Sequence, residues 1–118
     1  MNYNDKKFKA VENSQHGETS EKTVFHYKQI GTFLTATYTG GVIVKGQILG
    51  SVAKDGSIKM CYHQINSVGE LRSGICESKP EILSNGKIRL HESWQWTTGG
   101  VKKVLQSLKS YKLNKSYE

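Results

Sequence analysis

Tight-turn signals recur at short intervals along this chain: Ile30-Gly31, Gly40-Gly41, Asp55-Gly56, the stretch Asn66-Ser67-Val68-Gly69, and Asn85-Gly86. Between them lie short runs of alternating apolar and polar residues rich in β-branched and aromatic types. Residues 6–12, 22–29, 33–39, 42–53, 57–66, 70–78 and 87–96 read as strands. No segment before residue 99 carries a helical period. The pattern predicts an all-β fold, an antiparallel meander of about eight strands closed into a barrel. At 118 residues the chain holds material for one such domain.

After Gly99-Gly100 the period changes. Val101, Val104, Leu105, Leu108 and Tyr111 follow i, i+3, i+4, i+7 spacing, which predicts a short amphipathic C-terminal helix. The expected division is a barrel over 1–98 and a basic helix or tail over 99–118. Most of the net charge of +7 falls in that tail, where Lys102, Lys103, Lys109, Lys112 and Lys115 face only Glu118. The helix has two readings: docking on the barrel through its apolar stripe, or contact with a membrane surface or nucleic acid. The body is only mildly basic and does not suggest a nucleic-acid surface.

The turns set registers, because directly opposed residues share a face. Two-residue turns at Ile30-Gly31, Gly40-Gly41 and Asp55-Gly56, with a three-residue turn at 67–69, place Tyr27, Leu34, Gln47, Gln64 and Arg72 in one row inside the barrel. Tyr62 lies one level away. Glu92 joins the interior if a bulge near Pro80 corrects the parity of residues 87–96. This layer is either a ligand pocket or a self-satisfied network in which Arg72 pairs with Glu92. The same registers put Cys61 and Cys76 on opposite faces, out of reach of a disulfide, and oppose Lys59 to Glu77.

Other chemistry has little support. His16, His26, His63 and His91 do not converge, so neither a metal site nor a cofactor is expected. Gly46-x-x-x-Gly50 lies in a strand and not at a helix start, which excludes a phosphate loop. No apolar run reaches the ~20 residues that cross a bilayer. The polar N-terminus lacks the apolar core of a signal peptide, and a cytoplasmic location is expected.

The runs Tyr38-Thr39-Gly40-Gly41, Gly46 to Gly50, Ser73 to Leu83 and Ile88 to Thr97 resemble a small bacterial family whose members often carry the name N-acetylglutamate synthase. The resemblance covers roughly residues 3–99 and implies an acylated amino acid as substrate or ligand. The residues themselves carry no acetyl-coenzyme A motif. The reading favoured by the residues is a lipocalin- or avidin-like barrel that binds a small polar or carboxylate-bearing ligand through Tyr27, Gln47, Tyr62, Gln64, Arg72 and Glu92. The alternatives are an enzyme with Glu92 as general acid or base, and an interaction protein acting through its basic helix.

Overall fold

The computed structural model of the chain describes residues 1–13, 18–97 and 103–111. Among the described residues eight strands follow one another: β1 (Lys7–Asn13), β2 (Val24–Ile30), β3 (Phe33–Gly40), β4 (Ile43–Val52), β5 (Ile58–Asn66), β6 (Leu71–Ile82), β7 (Ile88–Trp96) and β8 (Lys103–Tyr111). Each pairs antiparallel with the next, and β8 also pairs with β1, closing the barrel. Among the described residues no helix is long and apolar enough to cross a membrane.

The expected C-terminal helix is corrected over its described part, which is strand β8. Val104 stands opposite Trp94, Gln106 opposite Glu92 and Leu108 opposite Leu90. Val104 and Leu108, four residues apart, share a face under a period of two just as they do under a helical one. Closure decides between the two periods, because without an eighth strand β7 and β1 would expose their unpaired backbone groups. Residues 98–102 and 112–118, with the rest of the proposed tail, lie outside the described residues, as does His16.

Three of the turns share one form. Residues 54–56, 67–69 and 84–86 are three-residue loops closed by Ala53 N→Ser57 O, Asn66 N→Glu70 O and Leu83 N→Lys87 O bonds of 2.8–3.1 Å. Each ends on a glycine at positive φ: Gly56 at 88°, Gly69 at 84° and Gly86 at 83°. A type I turn followed by a left-handed residue requires this conformation. The expected two-residue turns at Asp55-Gly56 and Asn85-Gly86 are therefore replaced by the form read correctly at 67–69. Asp55 and Asn85 stabilise it by accepting the backbone amides of Ser57 and Lys87 at 2.9 and 3.0 Å. The three-residue turn alone sets the parity of β7. Pairing runs unbroken from Gly74–Trp96 to Ile82–Ile88, so the bulge assumed near Pro80 is not there.

The bulge lies instead in β4. Its turn pairs Gly40 with Ile43, yet Tyr38 pairs with Gly46, and on the other side Ile43 and Lys45 face consecutive residues of β5. Val44 and Lys45 both point outward as a result, and the Thr39 hydroxyl donates to Val44 O at 2.8 Å. Every later residue of β4 is thereby turned over. Ile48 is buried, while Gln47 and Leu49 face solvent, the reverse of the expected arrangement. The extra residue in the β4–β5 turn reverses the parity again, so β5 presents Ile58, Met60, Tyr62 and Gln64 inward as expected.

Aromatic side chains fill the interior. Tyr27 packs on Phe8 with centroids 4.8 Å apart, Tyr38 stacks on Phe25 at 4.7 Å, and Tyr62 meets Trp94 edge-on at 4.1 Å. Burial pushes the Tyr3 phenol up to about 12, helped by the nearby Asp55 and Glu92 charges, and raises Tyr27, Tyr38 and Tyr62 further. These groups are acids held neutral by the fold, against an unfolded value of about 10. The stability they contribute is fully present below about pH 10 and is lost as pH rises through 12 and beyond. An ultraviolet phenolate titration is expected to leave these four tyrosines un-ionised between about pH 10 and 12, then to ionise them together as the barrel unfolds.

Cys76 is buried and Cys61 exposed, and both thiols are free. They lie on opposite faces, with Cys76 opposite Met60 and Cys61 opposite Ile75, as the registers predict.

Candidate functional site

The two ends of the barrel differ. One end carries the turns 31–32, 54–56 and 84–86, and there the N-terminal segment folds over the barrel, with Tyr3, 0 % exposed, filling the opening. Its hydroxyl donates to Gly56 O at 2.5 Å and its backbone amide to Gln29 Oε1 at 2.8 Å. The other end, called the mouth below, carries the turns 41–42 and 67–69 and the β1–β2 connection. There the interior becomes polar.

Strand alternation puts Gln64 and Asn66 on the inner face of β5, with Arg72 directly opposite Gln64 on β6. Glu18, from the β1–β2 connection, reaches into this group. Gln64 Nε2 donates to Glu18 Oε1 at 2.6 Å, and Asn66 Nδ2 donates to Glu18 Oε2 at 2.9 Å. Arg72 Nε lies 3.3 Å from Glu18 Oε2, and its Nη2 lies 3.8 Å from Glu70 Oε1. The guanidinium sits over the Trp96 ring, 5.4 Å from its centroid, a cation–π contact. Tyr38 Oη donates to Gln64 Oε1 at 2.7 Å. Below the polar layer Tyr62 meets Trp96 edge-on at 5.5 Å and donates its hydroxyl to Gln95 O at 3.3 Å. The mouth is thus a set of convergent donors above an aromatic floor.

A second polar group lies deeper. Trp94 Nε1 donates to Glu92 Oε1 at 3.0 Å, and Tyr27 Oη approaches Glu92 Oε2 at 3.5 Å. Glu92 is 4 % exposed.

Of the six residues expected to share one chamber, Gln64, Arg72 and Tyr62 meet at the mouth, while Tyr27 and Glu92 meet in the barrel's middle. Gln47 belongs to neither group. The β4 bulge turns it outward, where His63 Nε2 lies 3.1 Å from its Oε1. The expected Arg72–Glu92 pairing is replaced by ion pairs from Arg72 to Glu18 and Glu70. Arg72 and the partner of Glu92 on β6, Ser78, are six residues apart, about 20 Å along a strand.

Glu18 and Asn66 join the site without being among the residues the sequence pattern points to. Asn66 carries a signal, since it continues the inward alternation after Gln64, although it also opens a turn. Glu18 lies in a polar stretch without periodicity, and nothing in its spacing marks it.

Among the described residues the outer face of the sheet carries shallow grooves. One, of about 590 Å³, is lined by Leu49, Cys61 and Ile75 among others. The second, of about 610 Å³, is lined by Gln47, Leu49 and His63 among others.

A comparison with curated proteins and with solved structures returned no match, so no named relative supports the synthase part of the sequence resemblance. A family model described as avidin-like protein matches residues 1–109, a stretch that contains all eight strands except the end of the last. On this match, and with a closed antiparallel barrel in hand, the chain belongs to the avidin-like protein family.

Proposed function

We propose that this protein binds a small polar molecule at the mouth of its barrel. The observation that carries the reading is the convergence of Gln64, Asn66 and Arg72 at one end of a largely apolar interior. Binding sites are mostly apolar, with a few placed polar groups that fix orientation. The mouth has that composition: Tyr62 and Trp96 supply the apolar floor, and Arg72 supplies a planar fork placed over the indole. Membership of the avidin-like family agrees with small-ligand binding.

The alternative of catalysis by Glu92 is less well supported. A general acid or base must come within hydrogen-bond reach of a substrate proton, and Glu92 is enclosed by Trp94 and Tyr27. The reading based on a basic helix loses its helix, since β8 is a stave of the barrel.

Native mass spectrometry of the wild-type protein and of Arg72→Ala, purified in parallel, tests the proposal. The wild type is expected to retain a non-covalent small molecule, and Arg72→Ala to lose at least nine-tenths of it. Equal retention by the variant would place the ligand elsewhere.

A further inference from the structure

The carboxylate seated at the mouth belongs to the chain itself. Both of its oxygens are used: Oε1 by Gln64, and Oε2 by Asn66 and Arg72. The donors do not depend on Glu18 for their orientation. Gln64 Oε1 is taken by the Tyr38 hydroxyl at 2.7 Å, which turns the Gln64 amino group towards Glu18. Asn66 Oδ1 accepts the backbone amides of Val68 and Glu70 at 3.2 and 2.9 Å, which turns its amino group the same way. Arg72 is braced by Trp96. The receptor is therefore built into strands β5 and β6, whereas its occupant comes from a connection between strands. The site also borders solvent, with the Glu18 side chain 15 % and the Arg72 side chain 34 % exposed.

We infer that Glu18 is a tethered stand-in for a ligand carboxylate: the cradle of Gln64, Asn66 and Arg72 takes a small carboxylate, and Glu18 competes with it and closes the empty mouth. This inference rests on the mouth being the binding site, and it narrows the ligand to a class. A rigid set of oriented donors with a cation is complementary to a carboxylate and not to a neutral amide, which would set its own amino group against the Arg72 charge. Glu70, exposed at the rim and sharing Asn66 and Arg72, disfavours ligands with a second anionic group on that side. A tethered competitor lowers the apparent affinity for a free carboxylate to the fraction of time it leaves the site open.

Glu18→Ala removes the atoms of an acetate ion and leaves the cradle in place. The variant is expected to melt below the wild type. Acetate should raise its melting temperature and shift its tryptophan fluorescence, with half-effect at a concentration at least tenfold below that needed for any effect on the wild type. Acetamide, and chloride at matched ionic strength, should do neither. A folded Glu18→Ala protein indifferent to acetate would overturn the inference, as would equal half-effect concentrations in variant and wild type. Should Glu18→Ala fail to fold, Glu18→Gln preserves the shape and removes the charge, and the same comparison applies. The two readings fail separately. Loss of the bound molecule in Arg72→Ala without acetate rescue leaves a mouth that binds something other than a carboxylate. Acetate rescue with the bound molecule retained in Arg72→Ala leaves a carboxylate cradle that is not the main ligand site.

Discussion

Gly46→Ala is expected to destabilise the barrel by about 3 kcal/mol, at the upper end of the cost of overpacking a core. Gly46 faces inward opposite Tyr38, and the tyrosine ring lies across it. A Cβ there would sit 2.1 Å from Tyr38 Cζ and 2.2 Å from its Cε2. The ring has nowhere to go, because it is stacked on Phe25 and its hydroxyl is bonded to Gln64. Relief by moving Tyr38 would break the bond that aims Gln64, so the mouth should lose its ligand together with the stability. Urea unfolding checks this through the midpoint, with the slope unchanged. Gly69→Ala is the control: it strains a positive φ but meets nothing within 4 Å, and should cost about 1 kcal/mol or somewhat more. A Gly46→Ala midpoint equal to the wild type's would mean that the ring does not occupy this space.

Tyr3→Ala is expected to cost about 3–5 kcal/mol, the range for truncating a buried aromatic. Tyr3 is fully buried against Phe8 and Tyr27, with centroids 6.3 and 6.1 Å away. Its loss opens the end opposite the mouth and leaves Gly56 O without its donor. Tyr3→Phe separates the two effects and should cost only about 1 kcal/mol, the net worth of one hydrogen bond. Thermal unfolding of both variants measures the difference. If Tyr3→Ala were as mild as Tyr3→Phe, the N-terminal segment would be a loose tail and not a plug.

Strand order and most of the inner face can be read from the sequence because turn chemistry is local. Glycine after asparagine or aspartate marks a reversal whatever the rest of the chain does. The length of a turn is less legible. Asp55-Gly56 suits a two-residue loop and the last two positions of a three-residue loop equally well, and one residue of difference turns over a whole strand. The bulge at Val44–Lys45 is still harder to foresee, since nothing in Ile43-Val44-Lys45-Gly46 announces an extra residue. These two parity changes cancel at β5, which is why Tyr62 and Gln64 were placed correctly and Gln47 was not. A clue did exist in Gly46 and Gly74. Read as inward positions that large rings cross, they would have turned β4 the right way round. Gly46 lies beneath Tyr38, and a Cβ on Gly74 would stand 2.2 Å from Tyr62 Oη.

The site was legible only where it lies in strands. Gln64 and Arg72 follow from one correct turn, and their opposition in register is observed. Glu18 comes from a connection, and Tyr3 from a polar N-terminal segment with no period to place it. Both reach their positions through tertiary contacts that no local pattern encodes. For β8 the local pattern was misleading, because a stretch that fits two periods is settled by the edges it must cover.

On the proposed function, ligand enters at the β5–β6 turn end of the barrel and is held by Gln64, Asn66 and Arg72. A proton–nitrogen NMR titration of the ligand-free protein, using the small molecule that native mass spectrometry is expected to find bound to it, reads the site residue by residue. Shifts are expected at the side-chain amides of Gln64 and Asn66, at Arg72 Nε and at the Trp96 indole. Shifts centred on Leu49, Cys61 and Ile75 of the outer face, with those four groups unmoved, would contradict the proposed function.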